Sequence, residues 1–147
     1  MGKTFSQKPA DVTRKWYLID ASEAPLGRVA TVAASLLLGK GKPTVTSHVD
    51  GGDYVFIINT DKLVVTGGKM QKKNYYSYSG YPGGLRQRTL EKQMSIKSEE
   101  PLIKAIRGML PVNKLRAGRL ERLKVYAGET HNHDAQKPEK LTLKETK

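Results

Sequence analysis

WYLIDASEAPLGRVATVAASLLLGK, residues 16–40, followed by YVFIINT, residues 54–60, decides the fold class. WYLID is a short apolar and aromatic run with the composition of a buried strand. In the next segment Leu26, Val29, Ala30, Ala33, Leu36 and Leu37 recur at helical spacing. Ser22 is the candidate N-cap, Pro25 falls in the first turn, and Gly39 supplies the stop. YVFIINT is too apolar for a half-exposed strand. Strand, helix and strand within about 45 residues predict a right-handed βαβ unit with a parallel pair, and hence an α/β fold.

Beyond that unit, KLVVTGGKMQKKNYYSY (62–78) reads as a hairpin turning near Thr66-Gly67-Gly68-Lys69, with Lys69, Lys72 and Lys73 at its tip and returning arm. A Gly-rich loop, 79–84, follows. TLEKQMSI (89–96) predicts a short helix. SEEPLIKAIRGML (98–110) predicts a longer one, capped by Ser98, with Glu99 and Glu100 at its positive end. Leu102, Ile103, Ile106, Met109 and Leu110 form its buried stripe, and Arg107 turns away from it. NKLRAGRLERL (113–123) predicts a further helix with Arg116, Arg119 and Arg122 three apart, and LKVYAG (123–128) a last strand. From Glu129 the chain is polar and reads as extended or mobile. There is no internal repeat, and 147 residues is the size of one domain. The expectation is a single domain over 1–138 and a polar C-terminal tail over 139–147.

Charge narrows the function. Lys and Arg number 26 against 14 Asp and Glu, a net +12 with a pI near 9.9. Residues 1–66 hold 8 cations and 6 acids, 67–124 hold 14 and 4, and 125–147 hold 4 and 4. The first half is scaffold. The middle has the electrostatic footprint of a polyanion site, so removing the tail is expected to leave polyanion binding unaltered. There are no cysteines, which removes disulfides and thiolate chemistry and fits a reducing compartment. No apolar run approaches 18 residues, and MGKTFSQKPADV has neither the apolar stretch of a secretory signal nor the character of a transit segment. No membrane partner is expected.

Three short motifs suggest chemistry. His131 and His133 of HNHD alternate along the chain, but a metal site needs three or four ligands, and the third histidine, His48, is remote. They read as structural or RNA-facing. GKGKPT (39–44) resembles part of a phosphate loop. It follows a helix where a strand is required, and Pro43 stands where Ser or Thr belongs. Lys40 and Lys42 there read as phosphate contacts or a solvated turn. Asp50 and Asp53 in HVDGGDY are a possible acid–base pair, but beside Gly51-Gly52 they read as loop structure.

The segment KNYYSYSGYPGG (73–84) is of another kind. Four tyrosines fall within seven positions, next to lysines and turn residues. Cations neutralise phosphates, and aromatic faces stack on unpaired bases. One of Tyr75 and Tyr76 is expected in the core, while Tyr78 and Tyr81, beside Gly and Pro, are the better candidates for exposed contact.

These stretches also carry a resemblance. KTFSQKPADVTRKWYLIDA, LGRVAT, HVDGGDYVFIINTDKLVVTG, YYSYSGYPGGLRQRT and AIRGMLPVNKLRAGRLERLKVYAGETHNHDAQKP occur in order across residues 3–138. Together they resemble the bacterial-type L-thirteen family of large-subunit ribosomal proteins. The most specific stretch is IRGMLP, then Gly118-Arg119, then LKVYAG-x-x-H-x-H. The resemblance implies a three-layer α/β/α fold around a small mixed, largely parallel sheet, with a basic hairpin and an extended C-terminal tail. It implies a structural constituent of the large subunit that binds 23S-type rRNA and joins early in assembly. Catalytic residues, metal, cofactor and small-molecule substrate are not expected, and the other partners are neighbouring large-subunit proteins. The setting it implies is a cytoplasmic ribosome of bacterial type, with an organellar ribosome left open. By match to the family's basic segments, Lys69, Lys72, Lys73, Arg86, Arg88, Arg107, Lys114, Arg116 and Arg119 are expected RNA contacts. Lys40, Lys42, Tyr76, Tyr78, Tyr81, His131 and His133 complete the candidate set. Tyr76 and Tyr78 stand where relatives often carry His. Two other classes fit a basic α/β chain: an RNA-modifying or nucleotide-binding enzyme, disfavoured by the lack of a Gly-rich cofactor loop after either strand, and a DNA-associated basic protein, distinguishable by competition at fixed salt.

Overall fold

Trp16–Asp20 form β1 and Tyr54–Ile58 form β2, and the two pair in parallel with Trp16 opposite Tyr54 and Asp20 opposite Ile58. This computed structural model describes residues 5–143. Between the strands runs α1, Leu26–Leu38, which buries Val29, Ala30, Ala33, Ala34 and Leu37 and stops at Gly39 in the left-handed region. The order of the sheet is β5-β2-β1-β6, with β5 at Leu123–Val125 and β6 at Glu139–Leu141. All three pairings are parallel. The antiparallel component is a separate hairpin, β3 at Asn74–Tyr78 with β4 at Leu85–Thr89.

The main core lies on the α1 face of the sheet. Ile19, Val55 and Ile57 meet α1 and, beyond it, Leu102, Ile106 and Leu110 from α4, Glu99–Met109, and its C-cap. The alanines of α1 allow the close approach of the two helices. Strand alternation turns Trp16, Tyr54 and Phe56 to the other face. There Trp16 stacks on Tyr54 at 3.8 Å, and Phe56 stacks on His133 at 4.3 Å. On this face the aromatic cluster is closed by the 126–138 connection, which holds a 3-10 turn at Asp134–Gln136.

Several local readings are corrected. Ser22 is not the N-cap of α1: its amide and hydroxyl both donate to Asp20 Oδ1, at 2.9 and 2.7 Å, and Pro25 occupies the cap position. Ser98 does precede α4, but its hydroxyl bonds Thr60 Oγ1 at 3.0 Å and caps nothing. Met109 is 43% exposed, because residues 102, 106 and 110 share the inward face and Met109 lies on its flank. Ile103 is likewise exposed.

The hairpin is also displaced. Gly67 and Gly68 take positive φ, but they lead into a single helical turn, α2 at Lys69–Lys72. The arm before them is unavailable for pairing: Leu63 is buried, and Val64 C=O accepts from Leu26 N–H at 3.0 Å. Asn74–Tyr78 therefore pairs forward with Leu85–Thr89, and the Gly-rich loop 79–84 is the turn. Two short helices complete the chain, α3 at Leu90–Ile96 and α5 at Leu115–Glu121. Of the extended or mobile reading after Glu129, residues 139–141 take the extended form and add a strand to the edge of the sheet beside β1, followed by the buried Leu143.

Candidate nucleic-acid interface

The hairpin register sorts its side chains onto two faces. Tyr75 opposes Arg88 and Ser77 opposes Arg86, while Tyr76 opposes Gln87 and Tyr78 opposes Leu85. Opposed residues share a face, and successive residues alternate. The first face packs toward α3 and α4. Tyr75 is half-buried there, with Lys73 Nζ 5.6 Å and Lys104 Nζ 4.8 Å from its ring centroid. This answers the expectation that one of the first two tyrosines joins the packed side. Burial, and then the charge of Glu100, push the Tyr75 hydroxyl above its ordinary pKa.

A cleft on this face is lined by Tyr75, Ser77, Arg86, Arg88, Gln93, Glu100 and Lys104, and Tyr76 borders it. Glu100 ties it together, accepting from Gln93 Nε2 and pairing with Lys104 at 2.7 Å. On the other side of Lys73, a second cleft brings Lys69 and Lys73 against Leu26 and Leu90. Lys73, Lys104, Arg88 and Arg86 thus gather around Tyr75 with Glu100 among them, and Lys69 adjoins Lys73 in the second cleft, so that together these cations form a ridge. Arg107, exposed one helical turn past Lys104, extends it along α4. Lys72 is exposed on α2. Lys104 was missed as a site residue. Its spacing from Glu100 marked it only as half of a helical surface pair, and its place over Tyr75 depends on a hairpin some 30 residues away in sequence.

The remaining candidates lie apart from the ridge. Tyr76, Tyr78 and Tyr81 are 63%, 65% and 76% exposed on the hairpin's second face and turn. Lys40 and Lys114 are exposed and Arg116 is half-buried. Lys42 is held inward, donating to Thr13 O, Gly51 O and the Asp53 carboxylate. His131 and His133 are partly buried beneath the aromatic cluster, with His133 flat on Phe56.

Arg119 departs from the expected surface contact. Its side chain is 4% exposed, and its Nε donates to Asp50 Oδ1 at 3.4 Å. Arg122 grips the same carboxylate with two nitrogens, Nη1 on Oδ2 and Nη2 on Oδ1. The row of arginines in α5 is thus only one-third outward-facing. Burial pushes the Asp50 carboxyl up, but the bonds and charges of Arg122 and Arg119 outweigh it and hold it below the usual carboxylate value. Gly52 completes this hub: a Cβ there would lie 1.9 Å from Leu37 O. Asp53 also accepts from Lys15 N–H at 2.8 Å. Both carboxylates of HVDGGDY therefore have structural partners, as the sequence suggested. Among the described residues no three His, Cys, Asp or Glu side chains are grouped to hold a metal, and no helix is long and apolar enough to cross a membrane.

The family model described as Ribosomal protein L13 matches residues 14–132, which include the whole ridge. The chain belongs to the ribosomal protein L13 family. Among its relatives, the Large ribosomal subunit protein uL13 of Oleidesulfovibrio alaskensis is 51% identical over 142 residues, covering 97% of this chain and 99% of that protein. The protein of the same name from Caldanaerobacter subterraneus subsp. tengcongensis is 52% identical, covering 96% and 99%. That from Clostridioides difficile is 50% identical, covering 97% and 99%. These relatives match over nearly the whole chain, so β6 lies within the alignable length although the family model stops at residue 132.

Proposed function

We propose that this chain is a structural, non-catalytic constituent of the large ribosomal subunit that binds 23S-type rRNA through the ridge Lys69, Lys73, Arg86, Arg88, Lys104 and Arg107. The observation that carries the reading is the charge of this region. Residues 62–90 hold six cations and no acid, and five of the ridge residues gather around one tyrosine or along one helix. Such an array neutralises phosphates and releases their counterions, and it follows the shape of A-form RNA without reading bases in the deep groove. Lys72, Lys40, Lys114 and Arg116 add to the field at other points. The relatives' names place them in the large subunit, which supports the same assembly, its ribosomal location, and neighbouring subunit proteins as the second class of partner. Neither a cofactor nor a small-molecule substrate enters the account.

Early entry into the assembling subunit suits a chain whose core closes within itself, with Ile19, Val29, Val55, Phe56 and Ile106 fully buried in the absence of any partner. A prefolded cationic protein pays little ordering entropy when it meets naked rRNA. The test is equilibrium binding to purified large-subunit rRNA, without other proteins, across a salt titration. The variant Lys69→Ala/Lys73→Ala/Arg86→Ala/Arg88→Ala should fold normally by circular dichroism and bind more weakly. Its log K against log salt slope should shrink by about one unit per phosphate contact removed. An unchanged slope in a folded variant overturns the assignment of the ridge.

A further inference from the structure

The ridge occupies one face of the hairpin, and the opposite face has a different chemistry. There Tyr76 and Tyr78 stand two residues apart on β3, both about two-thirds exposed, with Gln87 and Leu85 across from them on β4. Tyr81, 76% exposed, projects from the turn. A strand normally turns its apolar side chains to the core and its charges to water. This hairpin turns Arg86, Arg88 and the half-buried Tyr75 to the α4 side and the rings of Tyr76 and Tyr78 to solvent. Tyr76 borders the cleft that holds Arg86, Arg88 and Lys104 with one acid, Glu100, so three cations face one carboxylate beside it.

We propose that this second face is a stacking platform for unpaired nucleotides, so that the hairpin meets RNA with two surfaces: cations for the backbone on one side and rings for splayed bases on the other. The inference rests on the RNA-binding reading of the ridge. Three features select a base as occupant. The cationic excess beside Tyr76 is complementary to a sugar–phosphate chain and repels basic protein. Side chains at i and i+2 on a strand stand about 6.7 Å apart, twice the rise per residue, which is the separation of two planes holding one base between them. The Gln87 amide, directly opposite Tyr76, places a donor and an acceptor beside that position, where an unpaired base exposes its edge. Duplex RNA stacks its bases internally and has nothing to offer this face.

The experiment compares a single-stranded oligouridylate with an RNA duplex of equal length, for the full chain and two double variants. Tyr76→Ser/Tyr78→Ser removes the rings, and Tyr76→Phe/Tyr78→Phe keeps them. Both sites are exposed, so both variants should fold, and circular dichroism checks this. The serine variant should lose roughly tenfold to hundredfold in oligouridylate affinity for each base that stacks. Its duplex affinity and its salt slope on either RNA should stay at the parental values, because a ring releases no counterions. The phenylalanine variant should match the parent. Equal losses on both RNAs, no loss on the single strand, or a phenylalanine variant as weak as serine would each overturn the platform while leaving the ridge intact. Ring-dependent binding to anionic phosphatidylglycerol vesicles, with RNA binding unaffected, would overturn it by reassigning the face to a membrane surface. If the parent chain binds neither RNA, the function proposed above fails as well.

Discussion

Replacing Asp50 by Ala is the most informative single perturbation of the scaffold. Asp50 receives Arg119 at 3.4 Å and both terminal nitrogens of Arg122, at 2.5 and 2.7 Å. The two arginine side chains are only 4% and 9% exposed, so the substitution strands two guanidinium groups with little water to replace the carboxylate. Arg119 Nη1 and Arg122 Nε are already buried with no hydrogen-bond partner among the described residues, which leaves the site no reserve. Removing one partner of a buried pair costs about 3–5 kcal/mol. Asp50 keeps 18% of its side chain exposed, so the lower end is expected. At this chain length that corresponds to a fall in Tm of roughly 6–20 °C. Urea unfolding followed by circular dichroism at neutral pH measures it. Because the folded pKa of Asp50 lies below its ordinary 3.8, the contribution is fully present above that value. It is lost as pH falls through the depressed folded value, so the parent and Asp50→Ala curves should converge in acid. The triple variant Asp50→Leu/Arg119→Met/Arg122→Leu should recover much of the loss, since an apolar set leaves no charge stranded. A cost below about 1 kcal/mol for Asp50→Ala would refute the hub and return Arg119 to the surface, where an exposed pair is worth no more than that.

Three further outcomes follow from the packing. Ile106→Ala should cost roughly 2–5 kcal/mol of stability, whereas Arg107→Ala should leave stability nearly unchanged, weaken rRNA binding and reduce the salt slope by about one. Gly52→Ala should fail to reach the native fold or lose most of its stability, since its Cβ would lie 1.9 Å from the Leu37 carbonyl oxygen, and thermal unfolding of soluble material reports it. Truncation after Pro138 removes β6 and the buried Leu143. It should lower stability by at least the roughly 1.5–3 kcal/mol of one buried leucine, while the folded fraction binds rRNA as before.

What was legible in the sequence follows from how local the cause is. β1 was read to the residue, because a short apolar run bounded by Lys15 and the Asp20 turn has one reading. The helix α1 was equally plain, its spacing surviving the wrong cap. The hairpin was misplaced because two adjacent glycines between apolar arms carry a hairpin signal, and only the tether from Leu26 to Val64 takes the first arm away. Met109 was misjudged because its helix faces α1 along a narrow stripe, whose width depends on the alanines opposite. For the site, the charge gradient along the chain located the basic middle but was blind to which arginines face outward. Arg116, Arg119 and Arg122 look alike in sequence. What separates them is a carboxylate 69 and 72 residues earlier for the latter two. Lys104 was overlooked for the same reason in reverse.

The central claim is that the exposed ridge, and not net charge at large, joins this chain to the large subunit. The direct measurement is sedimentation of the chain with large ribosomal subunits in a high-salt gradient. Two charge-matched variants are compared: Lys69→Ala/Lys73→Ala/Arg86→Ala/Arg88→Ala, and a control that neutralises four exposed cations outside the ridge, Lys8, Lys40, Lys62 and Lys124. The account predicts that the parent and the control travel with the large subunit while the ridge variant stays at the top of the gradient. Equal retention of both variants, or equal loss, would contradict it.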